Sequence, residues 1–114
     1  MDLLILVLDD SKKRLSAFEK NWGSSRNNTV VTSTTVSNTI TNLKKCKWDI
    51  LFLDHDLGTK ETGYDVAKWL NNNPEHKPKT IVCHSMNYAG AKNIQHVLPG
   101  TLYHPIVWNY KGEI

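Results

Sequence analysis

Short apolar or β-branched runs alternate along the chain with segments of helical spacing. Leu3-Leu4-Ile5-Leu6-Val7-Leu8 has no polar alternation, which suits a strand covered on both faces of a parallel sheet. Thr29 to Thr34 is β-branched but polar, as at a sheet edge. Ile50 to Leu53, Thr80 to Cys83 and Thr101 to Tyr103 supply three more strands. Between them, Leu15, Phe18 and Trp22 fall at i, i+3 and i+7 of a helix capped by Ser11 and ended by Gly23. Val36, Ile40 and Leu43 mark a second helix, capped by Ser37. Val66, Ala67, Trp69 and Leu70 turn inward from a third, Tyr64 to Asn72, which Asn73-Pro74 stops. Ala91, Ile94 and Leu98 form the stripe of a fourth, Ala89 to Leu98.

Strands alternating with helices predict an α/β, doubly wound parallel sheet of five strands in one domain, residues 1–114. Val107 to Ile114 leaves no room for a full fifth helix, so the last helix is expected to be truncated or missing. Right-handed crossovers place every strand's carboxyl end on one edge. Four strands finish there in unusual polar residues: Asp9-Asp10; Asp54-His55-Asp56; His84-Ser85 with Asn87; and His104. Ligands of such sheets bind outside the carboxyl ends.

Composition adds bounds. With 114 residues, 39% hydrophobic and 22% charged, the chain is an ordinary globular domain. A net charge of +3 with scattered basic residues does not argue for DNA, and Lys12-Lys13-Arg14 reads as a solvated helix face. Cys46 and Cys83 have no metal-like spacing, Cys83 fits a reduced core position, and a cytoplasmic setting is expected. The opening apolar run is too short to span a membrane.

Carboxylates and imidazoles gathered at one edge are costly to desolvate unless a cation compensates them. Asp10 and Asp54 suit a hard divalent ion, Mg²⁺ or Mn²⁺. His84 and His104 suit proton transfer or a phosphate grip opposite it. The plain alternative is a set of strand-to-loop junctions whose polar groups only cap and solvate.

Leu-Val-Leu-Asp-Asp (6–10), Asp-Ile-Leu-Phe-Leu-Asp (49–54) and Gly-Tyr-Asp-Val-Ala (63–67) resemble response-regulator receiver domains. That resemblance implies a flavodoxin-like sheet of order 2-1-3-4-5. It implies Mg²⁺ held by Asp9, Asp10, Asp54 and the backbone of Asp56, with Asp54 as phospho-acceptor and Ser85 against the phosphoryl group. The receivers' Lys-Pro reads His104-Pro105 here. Leu-Asp-His-Asp-Leu-Gly (53–58) and His-Ser-Met-Asn (84–87), followed by Gly90, resemble the cyclic-phosphate-processing receiver family. That implies action on cyclic phosphates of nucleotides or RNA ends.

The expected function is metal-assisted opening of a cyclic phosphate or related phosphoester. His84, His104, Asp54 and His55 are the expected catalytic groups. Ser85 and Asn87 are the expected phosphate-binding groups, and Asp9, Asp10, Asp54 and Asp56 the metal ligands. The partner is then a phosphate-containing small molecule or RNA end. The rival is a non-catalytic module phosphorylated at Asp54 that regulates a protein partner. A scaffold binding neither metal nor phosphate comes third.

Overall fold

In the computed structural model, which describes residues 2–24 and 27–110, five parallel strands lie in the order β2-β1-β3-β4-β5. They are β1 (Leu4–Leu8), β2 (Thr29–Ser33), β3 (Ile50–Leu53), β4 (Thr80–Cys83) and β5 (Leu102–Tyr103). Helices α1 (Lys12–Phe18), α2 (Val36–Leu43), α3 (Gly63–Asn72) and α4 (Tyr88–Val97) connect them. No helix among the described residues is long and apolar enough to cross a membrane.

Two apolar layers cover the sheet, and strand alternation sorts the side chains between them. Leu6, Leu8, Leu51, Leu53 and Cys83 pack under α2, α3 and α4. Ile5, Val7, Phe52 and Val82 face Leu15, Phe18 and Trp22 on the other side. The rings of Phe18 and Trp22 stand 4.8 and 5.0 Å from that of Phe52. Burying each such ring stabilises the fold by about 2–3 kcal/mol.

Helix starts follow local chemistry. Ser11 caps α1 by accepting the Arg14 amide, as its position suggested. The chain then runs on from α1 as a π-helical turn, Glu19–Ser24, through Gly23, which does not end it. Thr35, not Ser37, caps α2, because the helix begins at Val36. Thr62 and Asp65 close a capping box on α3, and Asn87 caps α4.

After β5 the described chain makes one 3-10 turn, Val107–Asn109, where a fifth helix was expected to be short or missing. Residues 111–114 of that segment lie outside the described residues. The turn is fastened to the π-helical segment: the Trp22 indole N–H donates to the Val107 carbonyl at 3.1 Å, and the Asn21 amide to that of Trp108 at 3.0 Å. Val107 is fully buried and caps the second core.

Candidate functional site

Strand register builds the site. Leu8 pairs with Leu53, Leu53 with Cys83, and Cys83 with Tyr103. One residue further, the amides of Asp54, His84 and His104 donate to the carbonyls of Leu8, Leu53 and Cys83. Asp9, Asp54, His84 and His104 therefore stand in one row. Period-two alternation aims them at the face of Val7, Phe52 and Val82, the α1 side.

Asp9 and His84 are both fully buried, and His84 Nε2 lies 2.8 Å from Asp9 Oδ2. Asp9 also accepts from Arg14 Nε at 2.7 Å, Arg14 Nη2 at 2.9 Å and the Ser11 amide at 2.8 Å. Burial alone would raise its pKa. The bonds from His84, Arg14 and Ser11 outweigh that and hold the carboxyl well below its usual range. An ionised Asp9 only accepts, so His84 carries its proton on Nε2. Burial lowers the His84 pKa, against the pull of Asp9, so the ring is neutral. Its Nδ1 is buried without a hydrogen-bond partner, and its ring meets Phe18 edge-on at 5.0 Å.

Asp54 is the contrasting carboxylate. It is buried, and its one close cation is Arg14 Nη2 at 3.4 Å among the described residues. Burial, then the neighbouring charge of Asp9, push its pKa up to about 7, against the pull of Arg14. Arg14 also stands 3.8 Å from the half-exposed Asp10. The three carboxylates around Arg14 raise its own pKa, with the Asp9 bond foremost.

A cleft of about 280 Å³ opens above this cluster. Asp10, Arg14, Asp54, Asp56, His84, Ser85 and Asn87 line its polar part. Met86, Pro105 and Trp108 line its lip. The Ser85 Oγ accepts the Asn87 amide at 3.0 Å, which leaves the hydroxyl proton free to donate. A larger depression, about 430 Å³, lies between 77–81 and 98–102, and among the described residues no acid or imidazole lines it.

Two expected histidines lie away from the cleft. His55 follows Leu53 in parity, so it falls on the opposite face, under α4. There its ring lies beneath Gly90, and Nδ1 is 2.8 Å from Asp56 Oδ1. The Asn87 amide reaches the same Asp56 carboxylate at 3.2 Å, so the Asp56 side chain serves a clasp between the β3 loop and α4. His104 sits at the edge strand, beyond His84, and its ring turns onto Tyr110 at 4.6 Å. Neither His55 nor His104 lines the cleft.

Arg14, expected on a solvated helix face, instead turns into the acidic cluster at the cleft. The signal was there. A helix capped by Ser11 puts Arg14 at its third position, and helical side chains lean toward the N-terminus, here toward Asp9 and Asp10.

A divalent cation suits this donor set. One guanidinium does not neutralise Asp9, Asp10 and Asp54, and burial, then the charge of Asp9, raise the Asp54 pKa. Ligand atoms of Asp9, Asp54 and His84 lie within 4.8 Å of one another. Asp9 is already saturated by donors, however, so the oxygens open to an ion are those of Asp10 and Asp54.

The fold is shared with solved receivers. The phosphorylated cyanobacterial phytochrome response regulator RcpA aligns with a TM-score of 0.78 at 18% identity, covering 91% of this chain and 80% of that one. The Mn²⁺-bound form of response regulator Rcp1 gives 0.75 at 17% identity, covering 90% and 79%. Response regulator TrrA from Thermotoga maritima, in complex with Mg²⁺ and beryllium fluoride, gives 0.73 at 14%, covering 91% and 85%. No curated protein sequence matches significantly. The description "Cyclic-phosphate processing Receiver domain" matches residues 4–100. With that span matched, the chain belongs to the cyclic-phosphate processing receiver domain family.

Proposed function

We propose that this chain opens cyclic phosphates of nucleotides or RNA ends in the cleft above Asp54, with a divalent cation held by Asp10 and Asp54. The observation that carries the reading is the cleft itself, with buried Asp54 at its floor and Asp10, Arg14 and Ser85 beside it, in a cyclic-phosphate family. The surrounding acids repel the cyclic phosphate monoanion, and a cation between them would relieve that repulsion. Mg²⁺ or Mn²⁺ bound there would offset the phosphate charge and polarise the ester.

The chain's own groups then divide the labour. Ionised Asp54 takes a proton from the water that attacks phosphorus. The new P–O bond forms as one ribose P–O bond breaks, and the ribose oxygen that leaves takes its proton from solvent water. The free Ser85 hydroxyl proton donates to a non-bridging phosphate oxygen. Arg14 is held by its fork on Asp9 and steadies the charge that develops beside Asp54. His84 acts through Asp9 as a positioning residue. His55 holds the clasp of Asp56 and Asn87, and His104 stays outside the chemistry.

Purified protein with Mg²⁺ or Mn²⁺ is expected to convert a nucleoside 2′,3′-cyclic phosphate to a monoester. Asp54→Asn should abolish the conversion and His104→Ala should leave it unchanged. No conversion with either metal, on mononucleotide or RNA, would defeat the reading.

The phospho-acceptor alternative draws on one observation: Asp54 ends β3 inside a receiver fold with the Ser85 hydroxyl on the same cleft. Beryllium fluoride with Mg²⁺ would then occupy the site and alter binding of a protein partner. Among the described residues, no lysine lines the cleft.

A further inference from the structure

The cleft has two chemically distinct parts. Its floor carries Asp10, Arg14, Asp54 and Ser85. Its lip carries Met86, Pro105 and Trp108, from the loop before α4 and the segment after β5. Met86 is 76% exposed, the most exposed large apolar side chain among the described residues. It lines the same cleft as Pro105 and Trp108, so three apolar groups share its rim. Trp108 is half-buried, and its backbone is fixed by the Asn21 amide, with Val107 beside it buried and bonded to Trp22. The indole is thus mounted on the second core and not on a loose tail.

We propose that this lip is a stacking subsite for the aromatic base of the substrate, so that the substrate class is a nucleoside cyclic phosphate and not a bare sugar or polyol cyclic phosphate. The inference rests on the cyclic-phosphate reading above and adds the group that is recognised beyond the phosphate.

Size and chemistry agree. Pockets that enclose drug-sized ligands measure about 300–1,000 Å³. At about 280 Å³ the cleft encloses a phosphate and its ribose and leaves the base at the rim, where the three apolar residues stand. An indole face is the strongest stacking partner for a base, and a methionine thioether packs well against an aromatic ring. Trp108, Pro105 and Met86 offer the base apolar contact and one indole N–H, too little to read the edge of a particular base. The subsite therefore accepts purines and pyrimidines alike. Stacking also requires only one unpaired base, so a mononucleotide and the end of an RNA strand meet it equally.

Calorimetric titration with Mn²⁺ present tests this with adenosine 2′,3′-cyclic phosphate, an oligoribonucleotide ending in the same group, and ribose 2′,3′-cyclic phosphate. The titration is repeated with the corresponding monoester products, which are not turned over, so that the heat of ester opening does not enter the comparison. Both base-carrying ligands should bind about tenfold or more tighter than the ribose ligand, from the usual worth of one stacked base. Trp108→Leu keeps apolar bulk against the core and should erase that advantage, while Trp108→Phe should retain most of it. Met86→Ala, at an exposed position, should lose about threefold without touching the fold, in line with a sulfur–aromatic contact. Equal binding of all three ligands, or a Trp108→Leu protein that keeps the preference, would overturn the stacking subsite while leaving cyclic-phosphate binding intact. Absence of binding by every ligand would defeat the cyclic-phosphate reading and this one with it.

Discussion

His84 Nε2 stands 2.8 Å from Asp9 Oδ2, and neither side chain has any surface in contact with solvent. A buried anion is tolerable only when its lone pairs are filled, and His84 fills the one that α1 cannot reach. His84→Phe keeps an aromatic ring beside Phe18 and Phe52 but removes the donor. It should cost about 2 kcal/mol, the usual worth of a hydrogen bond to a charged group. His84→Gln, whose amide reaches a similar point, should cost less. Urea unfolding is the measurement: the midpoint moves and the slope does not. Equal stability of the Phe variant and the parent would show that Asp9 does not depend on this bond.

Asp54 makes the opposite contribution. Its native pKa lies near 7, above the 3.8 expected when unfolded. The native state therefore holds this proton more tightly. The stability so gained is complete below pH 3.8 and is lost as pH rises through about 7. Asp54→Asn removes the ionisation. Without divalent ions, the variant should match the parent near pH 4 and exceed it in melting temperature above pH 7. The expected gap at pH 8 is on the order of 4 kcal/mol. Adding Mn²⁺ at pH 8 should narrow the gap by stabilising the parent alone. A gap that does not change with pH would refute the perturbed carboxylate.

Much of this could be read from the residues, and the failures have physical causes. The strands were visible because Ile5 to Leu8 and Ile50 to Leu53 are buried on both faces and carry no polar alternation. Asp9, Asp54 and His84 converge because each follows its strand in the same parity. The same parity, applied to His55, sends it to the other face, and adjacency in sequence to Asp54 concealed this. His104 shares the row but sits on the edge strand, where Tyr110 takes its ring. Arg14 was hidden by its company: Lys12 and Lys13 are exposed, and only the third position of the helix turns back toward the acids. Thr35 and Ser37 both suit a cap, and only the backbone conformation of Thr35 decides between them.

Arg14 shares the acidic cluster with any bound cation. Its fork covers both oxygens of Asp9 and its Nη2 leans on Asp54. Arg14→Met removes a positive charge from the cluster without adding a donor or acceptor. Mn²⁺ should then bind about tenfold tighter at pH 7.5, on the scale of one partly screened charge pair near the surface. The fold should lose about 2 kcal/mol, because buried Asp9 is left with fewer donors. Electron paramagnetic resonance of free Mn²⁺ gives the affinity directly. A variant with weaker Mn²⁺ binding would mean that Arg14 orders the ligands and does not compete with the ion.

Gly90 and Gly63 offer a graded test of how tightly the loops around the site are packed. A Cβ on Gly63 would lie 2.1 Å from the Asp54 backbone carbonyl oxygen, and backbone cannot step aside. A Cβ on Gly90 would lie 2.5 Å from Cγ of the His55 ring, which can move only by leaving Asp56. Gly63→Ala should therefore cost more than Gly90→Ala, whose penalty is about 1–3 kcal/mol for overpacking. His55→Ala empties the space beneath Gly90 and breaks one arm of the clasp. In the double variant His55→Ala, Gly90→Ala, the alanine at 90 should cost far less than it does alone, giving a coupling of at least about 1 kcal/mol. Additive penalties in urea unfolding would mean that the His55 ring is not held against Gly90. The clasp through Asp56 to Asn87 at the cap of α4 would then have another foundation.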